Sequence, residues 1–371
     1  MKVLLIDTFY KGFLNGVYSR QQDLANRSFL EQSNYLDGTF FPTANYWKSP
    51  LEKLGHEVFS IAANNPFAQL RWCIENDRQD IARQCADKYS YGGVSVGYGN
   101  QQSWVKAITA EQIRTFRPDI LYSVDLNIFD SEFLDGVRPY YGIAVGQHAA
   151  ALPRHCLRKY DLIVSSLPNQ VAHFRSLGIR SEYLRLAFDH RLLSHLKSNS
   201  KLYGLSFLGQ VSQDHLRRIA LLRELAKNIE LDFWGPKGWE GNEIAQMRVN
   251  WRQPCWGLDM YQNMRDSCMV FNCHIDVSGD YANNLRLFEV TGVGSMLLND
   301  WKSNLNDMFD VGCEVVAYRD ADECVRLAKY YLEHHEEREA IAAAGQARVL
   351  REHTFDRRAV ELCDILQNFG T

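Results

Sequence analysis

Asn283–Asp300 reads NNLRLFEVTGVGSMLLND. Its spacing predicts a buried helix over Leu285–Gly292, a glycine turn, and a buried strand over Met296–Leu298. One acid, Glu289, stands among Leu285, Leu287, Phe288, Val290 and Val293. Burying a carboxylate is costly unless it is paired or hydrogen-bonded. Two uses stay open: a salt bridge to Arg286 or another base, or a grip on a hydroxylated ligand. Gly292 and Gly294 let the strand pack close behind the helix.

The same alternation of short apolar runs and helical spacing extends in both directions. Leu205–Leu208, Leu231–Trp234, Met269–Asn272 and Glu314–Ala317 read as further strands. Gln213–Lys227, Asp259–Asp266, Ala321–Glu333, Glu336–Arg351 and Asp356–Asn368 read as helices. Toward the N-terminus, Val3–Ile6, Val58–Ala62, Ile120–Val124, Ile143–Val145 and Leu162–Ser165 read as strands. Trp104–Phe116 and Asn169–Leu177 read as helices. This pattern implies α/β architecture, with parallel sheets covered by helices on both faces. The polar stretch HRLLSHLKSNSKLYG, from His190, reads as a linker between two doubly wound, Rossmann-like domains, 1–190 and 200–355. Residues 10–45 and 88–103, including the glycine-rich 92–99, have weak periodicity and read as long loops.

A chain of 371 residues suits two domains, since one usually holds roughly 100–200 residues. The net charge of −4 gives no electrostatic case for nucleic acid. Nine cysteines without a Cys-x2-Cys pair argue against a zinc ribbon or a secreted disulfide framework. MKVLLIDTFYKG is too short in its apolar part for a signal peptide. No run of about 18 apolar residues occurs, so no membrane span is expected. Together these point to a cytoplasmic protein.

Open α/β sheets bind ligands beyond the carboxyl ends of their strands. Asp7-Thr8-Phe9-Tyr10-Lys11-Gly12 follows the first strand but is no dinucleotide fingerprint, and no P-loop occurs. Asp125 and His148 follow later strands of the first half. Gly209 precedes a helix bearing His215, Arg217 and Arg218. Such a junction suits a diphosphate, through backbone amides, the helix dipole and a bidentate guanidinium. The plainer reading is a solvated basic helix face. Trp234 follows a strand and is either a base-stacking ring or a packed one. His274 leads into a polar loop containing Asp280, Asn283 and Asn284, which ends at the Leu285 helix. Glu289 lies one to two turns beyond, where a carboxylate can accept hydrogen bonds from the vicinal hydroxyls of a ribose.

These residues resemble the nucleotide-sugar domain of GT-B glycosyltransferases, closest to the CgeB-like branch related to the family 4 retaining enzymes. NNLRLFEVTGVGSMLLND, YGLSFLGQVSQDHLRR, VFNCHIDVSG, EVVAYRDADEC and EEREAIAAAGQARVLREHTFDRR carry the likeness, which covers 200–365. In the first half, YDLIVSSLPNQVAHFRSLGI matches. The resemblance implies two Rossmann-like domains facing a cleft, with the last helix, 356–371, packing back on the first. It implies sugar transfer from a nucleoside-diphosphate sugar, UDP rather than GDP, to an unknown acceptor. It further implies a retaining outcome with no metal and no resident cofactor.

Residue by residue, Glu289 matches the ribose-binding second Glu of a Glu-x7-Glu pair, and Arg218 the phosphate-binding base. Gly209, His215, Trp234, His274, Asp280, Asn283, Asn284 and Arg286 complete the expected donor site. His148 corresponds to the histidine that approaches the donor sugar. Asp125 and Gly12 are the acceptor-side candidates. The first Glu of the pair falls at Tyr281, a departure that leaves the sugar and the stereochemistry open. A GT-B nucleotide-sugar epimerase or hydrolase, and a non-catalytic GT-B binding protein, are the alternatives.

Overall fold

The computed structural model describes residues 1–41, 43–86, 102–148, 152–197, 201–211, 215–236 and 247–369. The predicted loop at 92–99 lies outside them. The chain divides into two compact units. One is Met1–Leu184 together with the residues from Cys363 onward, and the other is Arg185–Leu362. The division thus falls earlier than the linker read from His190. His190–His195 forms a short 3-10 helix within the second unit.

The first unit runs β1 (Lys2–Asp7), α1 (Lys11–Arg20), α2 (Phe29–Asp37), α3 (Thr43–Lys53), β2 (Glu57–Ala62), α4 (Pro66–Glu75), α5 (Gln79–Ala86), α6 (Gln102–Phe116) and β3 (Ile120–Ser123). It continues through α7 (Ser131–Val137), β4 (Ile143–His148), β5 (Leu162–Ser165), α8 (Pro168–Ser176) and β6 (Ser181–Tyr183). Its sheet is parallel, in the order β2-β1-β3-β4-β5-β6. β3 and β5 are buried along their whole length, as strands covered on both faces must be.

The expectation of a long loop over 10–45 is overturned. α1, α2 and α3 occupy most of it. Ser28 and Glu31 form a reciprocal capping box at the start of α2, a signal present in the sequence but outweighed there by weak apolar spacing. α1 buries Phe13, Leu14, Val17 and Tyr18. The Tyr18 hydroxyl donates to Gln32 Oε1 at 2.7 Å and accepts from Asn65 Nδ2 at 2.9 Å, so this aromatic-polar stretch is tied to α4.

The second unit runs β7 (Tyr203–Leu208), α9 (Leu216–Asn228), β8 (Leu231–Trp234), β9 (Asn250–Arg252), α10 (Gly257–Arg265), β10 (Ser267–Asn272), α11 (Arg286–Gly292) and β11 (Met296–Asp300). β12 (Val316–Tyr318), α12 (Ala321–Glu333) and α13 (His335–Glu352) follow, and α14 (Phe355–Gln367) begins in this unit, its residues from Cys363 onward belonging to the first. The parallel order β12-β11-β10-β7-β8-β9 places the first strand of this unit beside the fourth. Strand order therefore reverses between β7 and β10, which makes the gap beyond their carboxyl ends the topological switch point. The short edge strands β6 and β9 have no counterpart in the sequence reading, because three residues carry too little periodicity.

α11 packs so closely that a Cβ on Gly292 would lie 2.5 Å from the Phe188 ring. Beside it, His353 is buried against Phe288 and Phe309. Its Nε2 donates to the Met308 carbonyl at 2.9 Å, and Nδ1 accepts from Arg358 Nη2 at 3.3 Å. Burial pushes its pKa down to about 4; the Met308 bond opposes this and Arg358 adds to it.

Two outcomes follow. Gly292→Ala is expected to cost about 1–3 kcal/mol in urea unfolding, the range for overpacking a tight contact; an unchanged midpoint contradicts the packing. For His353, the unfolded ring protonates first as pH falls below its ordinary value of about 6.5. Stability is then lost between that value and the folded one, by up to ~3 kcal/mol. His353→Gln should flatten that part of the stability-against-pH curve, and a curve identical to the wild type refutes the assignment.

Candidate functional site

At the carboxyl edge of the second sheet, residues from α9, α10, α11 and the ends of β7, β10 and β11 converge on the switch point. Glu289 is buried on α11. Its Oε2 accepts from Arg286 Nη1 at 2.5 Å, and its Oε1 from the Tyr261 hydroxyl at 3.1 Å. Arg286 Nη2 donates to the carbonyl of Leu208, the last residue of β7, at 2.9 Å. The carboxylate thus has its salt bridge and is fixed to the strand end through its partner. Each oxygen carries one donor, leaving lone-pair capacity for ligand hydroxyls.

Arg218, on the first turn of α9, reaches across the same gap. Nη2 and Nε donate to the Cys273 carbonyl at 2.7 and 3.2 Å, and Nη1 donates to the Gln210 carbonyl at 3.1 Å. Carbonyls following β7 and β10 are thereby held by one guanidinium. Burial lowers the Arg218 pKa from its ordinary value. Gly209 donates its N–H to the Trp234 carbonyl at 3.0 Å. A Cβ on Gly235 would meet the Gly209 carbonyl at 2.2 Å, so glycine is required where these two turns touch.

His274 follows β10 and is buried. Its Nδ1 lies 2.7 Å from Asp300 Oδ1, and its backbone N–H donates to the same oxygen at 3.0 Å. Asp300 is wholly buried at the end of β11. Arg217 Nη1 stands 3.8 Å and Lys302 Nζ 3.5 Å from its Oδ2. Burial pushes the Asp300 carboxyl up, but the hydrogen bonds and charge of His274 and the charge of Lys302 outweigh it and hold the group below its usual range.

The polar loop is stapled to the turn after β11. Lys302 Nζ donates to the Gly279 carbonyl at 2.5 Å, Ser303 N to the Asp280 carbonyl at 2.9 Å, and Ala282 N to Asn304 Oδ1 at 2.6 Å.

Arg218, Glu289, Gly209, His274 and Arg286 therefore sit together. Asn284 belongs to the group but is already engaged. Its Oδ1 accepts from Leu287 N at 3.2 Å, capping α11, and its amide pairs with Asn272. α11 is short, and Asn284 Oδ1 satisfies one amide of its first turn. Asp280 is exposed and Asn283 half-buried on the loop. His215 occupies the N-cap position of α9, and the adjoining residues 212–214 lie outside those described. Trp234 is buried, edge-on to Tyr203 at 4.8 Å, which is the packed alternative rather than an open stacking face.

The remaining predicted residues belong to the first unit. His148 ends β4, buried, with Nδ1 3.0 Å from Ser165 Oγ and its ring edge-on to Phe174. Asp125 accepts from Thr8 Oγ1 at 2.7 Å and from Asn127 N at 2.9 Å, at that unit's own strand-order reversal between β1 and β3. Gly12 is exposed in the first turn of α1. Three second-unit residues were not singled out in the sequence: Tyr261, Asp300 and Lys302. Asp300 closes the opening stretch, where an acid ending an apolar strand was the available signal. Among the described residues no group of His, Cys, Asp and Glu is arranged to hold a metal ion. No described helix is long and apolar enough to cross a membrane.

Residues 217–364 match the family model described as glycosyl transferase-like. A comparison with curated protein sequences finds no match. Among solved structures, Anabaena Alr3699/HepE in complex with UDP-glucose aligns at TM-score 0.62 and 12% identity, covering 99% of this chain and 100% of that one. Sucrose-phosphate synthase from Thermosynechococcus elongatus aligns at 0.61 and 9%, covering 99% and 98%. AviGT4, a glycosyltransferase involved in avilamycin A biosynthesis, aligns at 0.56 and 16%, covering 98% and 96%. The fold, two Rossmann-like units with parallel six-stranded sheets, is GT-B. The glycosyl transferase-like match spans residues 217–364, and the likeness to these solved structures shows the GT-B fold.

The Arg286–Glu289 pair yields a stability prediction. Arg286→Gln leaves a buried carboxylate unpaired and should cost about 3–5 kcal/mol in urea unfolding. Glu289→Gln should cost less, and the double variant should recover part of the loss. Strictly additive costs would show that the two groups do not interact.

Proposed function

We propose that the chain transfers a sugar from a UDP-sugar to a hydroxylated acceptor, with the donor nucleotide held by the second unit. The observation that supports this most is Glu289. It is a buried carboxylate fixed at the switch point, with one hydrogen bond on each oxygen and capacity left for two ribose hydroxyls. Arg218 and Arg217 supply positive charge for the diphosphate, whose negative charge grows as the glycosidic bond breaks. Preorganised charge at the leaving group is an effective form of transition-state stabilisation. The choice of UDP is supported by the HepE complexes with UDP-glucose and with UDP.

In this reading the transfer needs no bound metal and retains the anomeric configuration, as the resemblance to family 4 enzymes implies. The first unit takes the acceptor through Asp125 and Gly12, and His148 serves the reacting sugar. Tyr281 stands where a carboxylate would hold the sugar hydroxyls, so sugar selection rests on other groups of the Asp276–Asn284 loop.

UDP at 100 times its dissociation constant should stabilise the protein by about 2.7 kcal/mol, visible as a raised thermal midpoint, with GDP giving less. Calorimetric titration of Glu289→Gln should show UDP bound about tenfold weaker, the loss expected from a charge-assisted hydrogen bond. Unchanged affinity in that variant sinks the ribose assignment. No response of the wild type to any nucleotide sinks the whole reading.

A further inference from the structure

His274 and Asp300 form a buried dyad whose use is not explained by the fold alone. The His274 ring is clamped, with Nδ1 and the backbone N–H both on Asp300 Oδ1. Its other nitrogen, Nε2, is buried and has no hydrogen-bond partner among the described residues; the same holds for Asp300 Oδ2. Buried polar atoms are nearly always satisfied, so an orphaned one points to a missing partner. The surroundings describe that partner. Arg217 and Lys302 stand within 4 Å of Asp300, and Arg218 binds the carbonyl of Cys273, the residue before His274. Three cations around one carboxylate leave the cluster with positive charge to spare.

We infer that His274 Nε2 binds a phosphate oxygen of the donor diphosphate, and that Asp300 is the positioning residue that orients the ring for it. This rests on the reading of the second unit as the UDP-sugar site, and adds to it a residue role. With Nδ1–H committed to Asp300, a neutral ring presents only a lone pair at Nε2, which repels a phosphate oxygen, whereas an imidazolium donates from both nitrogens, Nδ1–H to Asp300 and Nε2–H to the phosphate. Asp300 then balances the imidazolium, while Arg217, half-exposed and only loosely held at 3.8 Å, is free to turn to the same phosphate.

The titratable and charged groups around the dyad are Arg217 and Arg218 from α9, Cys273 beyond β10, Lys302 beyond β11, Tyr318 from β12 and Cys324 from α12. Burial pushes the Cys273 thiol up to about 11, and raises Cys324 and the Tyr318 phenol as well. These three stay neutral near pH 7, so the fixed charges around the dyad are those of Arg217, Arg218 and Lys302.

The test is isothermal titration of the full chain with UDP and with inorganic pyrophosphate. His274→Asn keeps a donor for Asp300 and deletes the Nε2 side; it should bind both ligands about tenfold or more weakly. His274→Gln restores a donor near the Nε2 position and should recover affinity, a split that a structural role for the dyad would not produce. Should His274→Asn fail to fold, the nitrogen NMR resonance of His274 Nε2 in the wild type decides alone: it should shift on addition of pyrophosphate, and an unmoved resonance overturns the proposal. UDP binding with unchanged affinity in His274→Asn overturns the dyad while leaving the UDP-site reading intact. Weakened UDP-glucose binding with unaffected UDP and pyrophosphate moves His274 to the sugar and also overturns it. A wild type that binds neither UDP nor pyrophosphate removes the donor-site reading itself.

Discussion

A buried carboxylate has to be held, and in this protein the way Glu289 is held organises the second unit. Arg286 is its partner, and Arg286 also bonds the carbonyl that ends β7. One guanidinium therefore neutralises the acid and fixes α11 against the first strand of the sheet. Tyr261 adds a donor from α10. In a low-dielectric surrounding these bonds are worth keeping only as a complete set, because removing one leaves an uncompensated charge. The arrangement specifies where α11 sits more than it strengthens the fold.

The same device recurs around the switch point. Arg218 bridges carbonyls from two different strand ends, and Lys302 holds the Gly279 carbonyl beside Asp300. Backbone carbonyls left over where strands stop are satisfied by cationic side chains. Under the proposed function, the groups that satisfy strand-end carbonyls are also those offered to the ligand: Arg218 is partly occupied by carbonyls, and Arg217 is the more exposed cation.

Much of the fold was legible because parallel strands buried on both faces leave strong apolar runs. Leu162–Ser165 and Leu231–Trp234 appear in the structure with the bounds read from the chain. Residues 10–45 were misread because their helices bury aromatic and polar side chains together, so apolar periodicity is diluted. Tyr18, Gln32 and Asn65 satisfy one another only after α1, α2 and α4 have met. At the site, Glu289 and Arg218 stood out as charges in apolar or strand-end positions. Trp234 did not distinguish itself, since a packed and an exposed ring look alike in sequence. Tyr261 and Lys302 carry no local signal at all.

The sequence by itself determined two doubly wound α/β halves and a pairing requirement for Glu289, because hydrophobic period and the cost of burying charge act locally. It also supplied the resemblance to GT-B glycosyltransferases. Only the tertiary structure decided that Asp300 faces His274 and that Asn284 is spent on capping α11. It likewise decided that one arginine spans the gap between β7 and β10. The His274–Asp300 and Arg218 contacts depend on strand order, which brings together residues dozens of positions apart whose contacts leave no periodic trace in the chain; the Asn284 cap is local, but depends on where α11 begins.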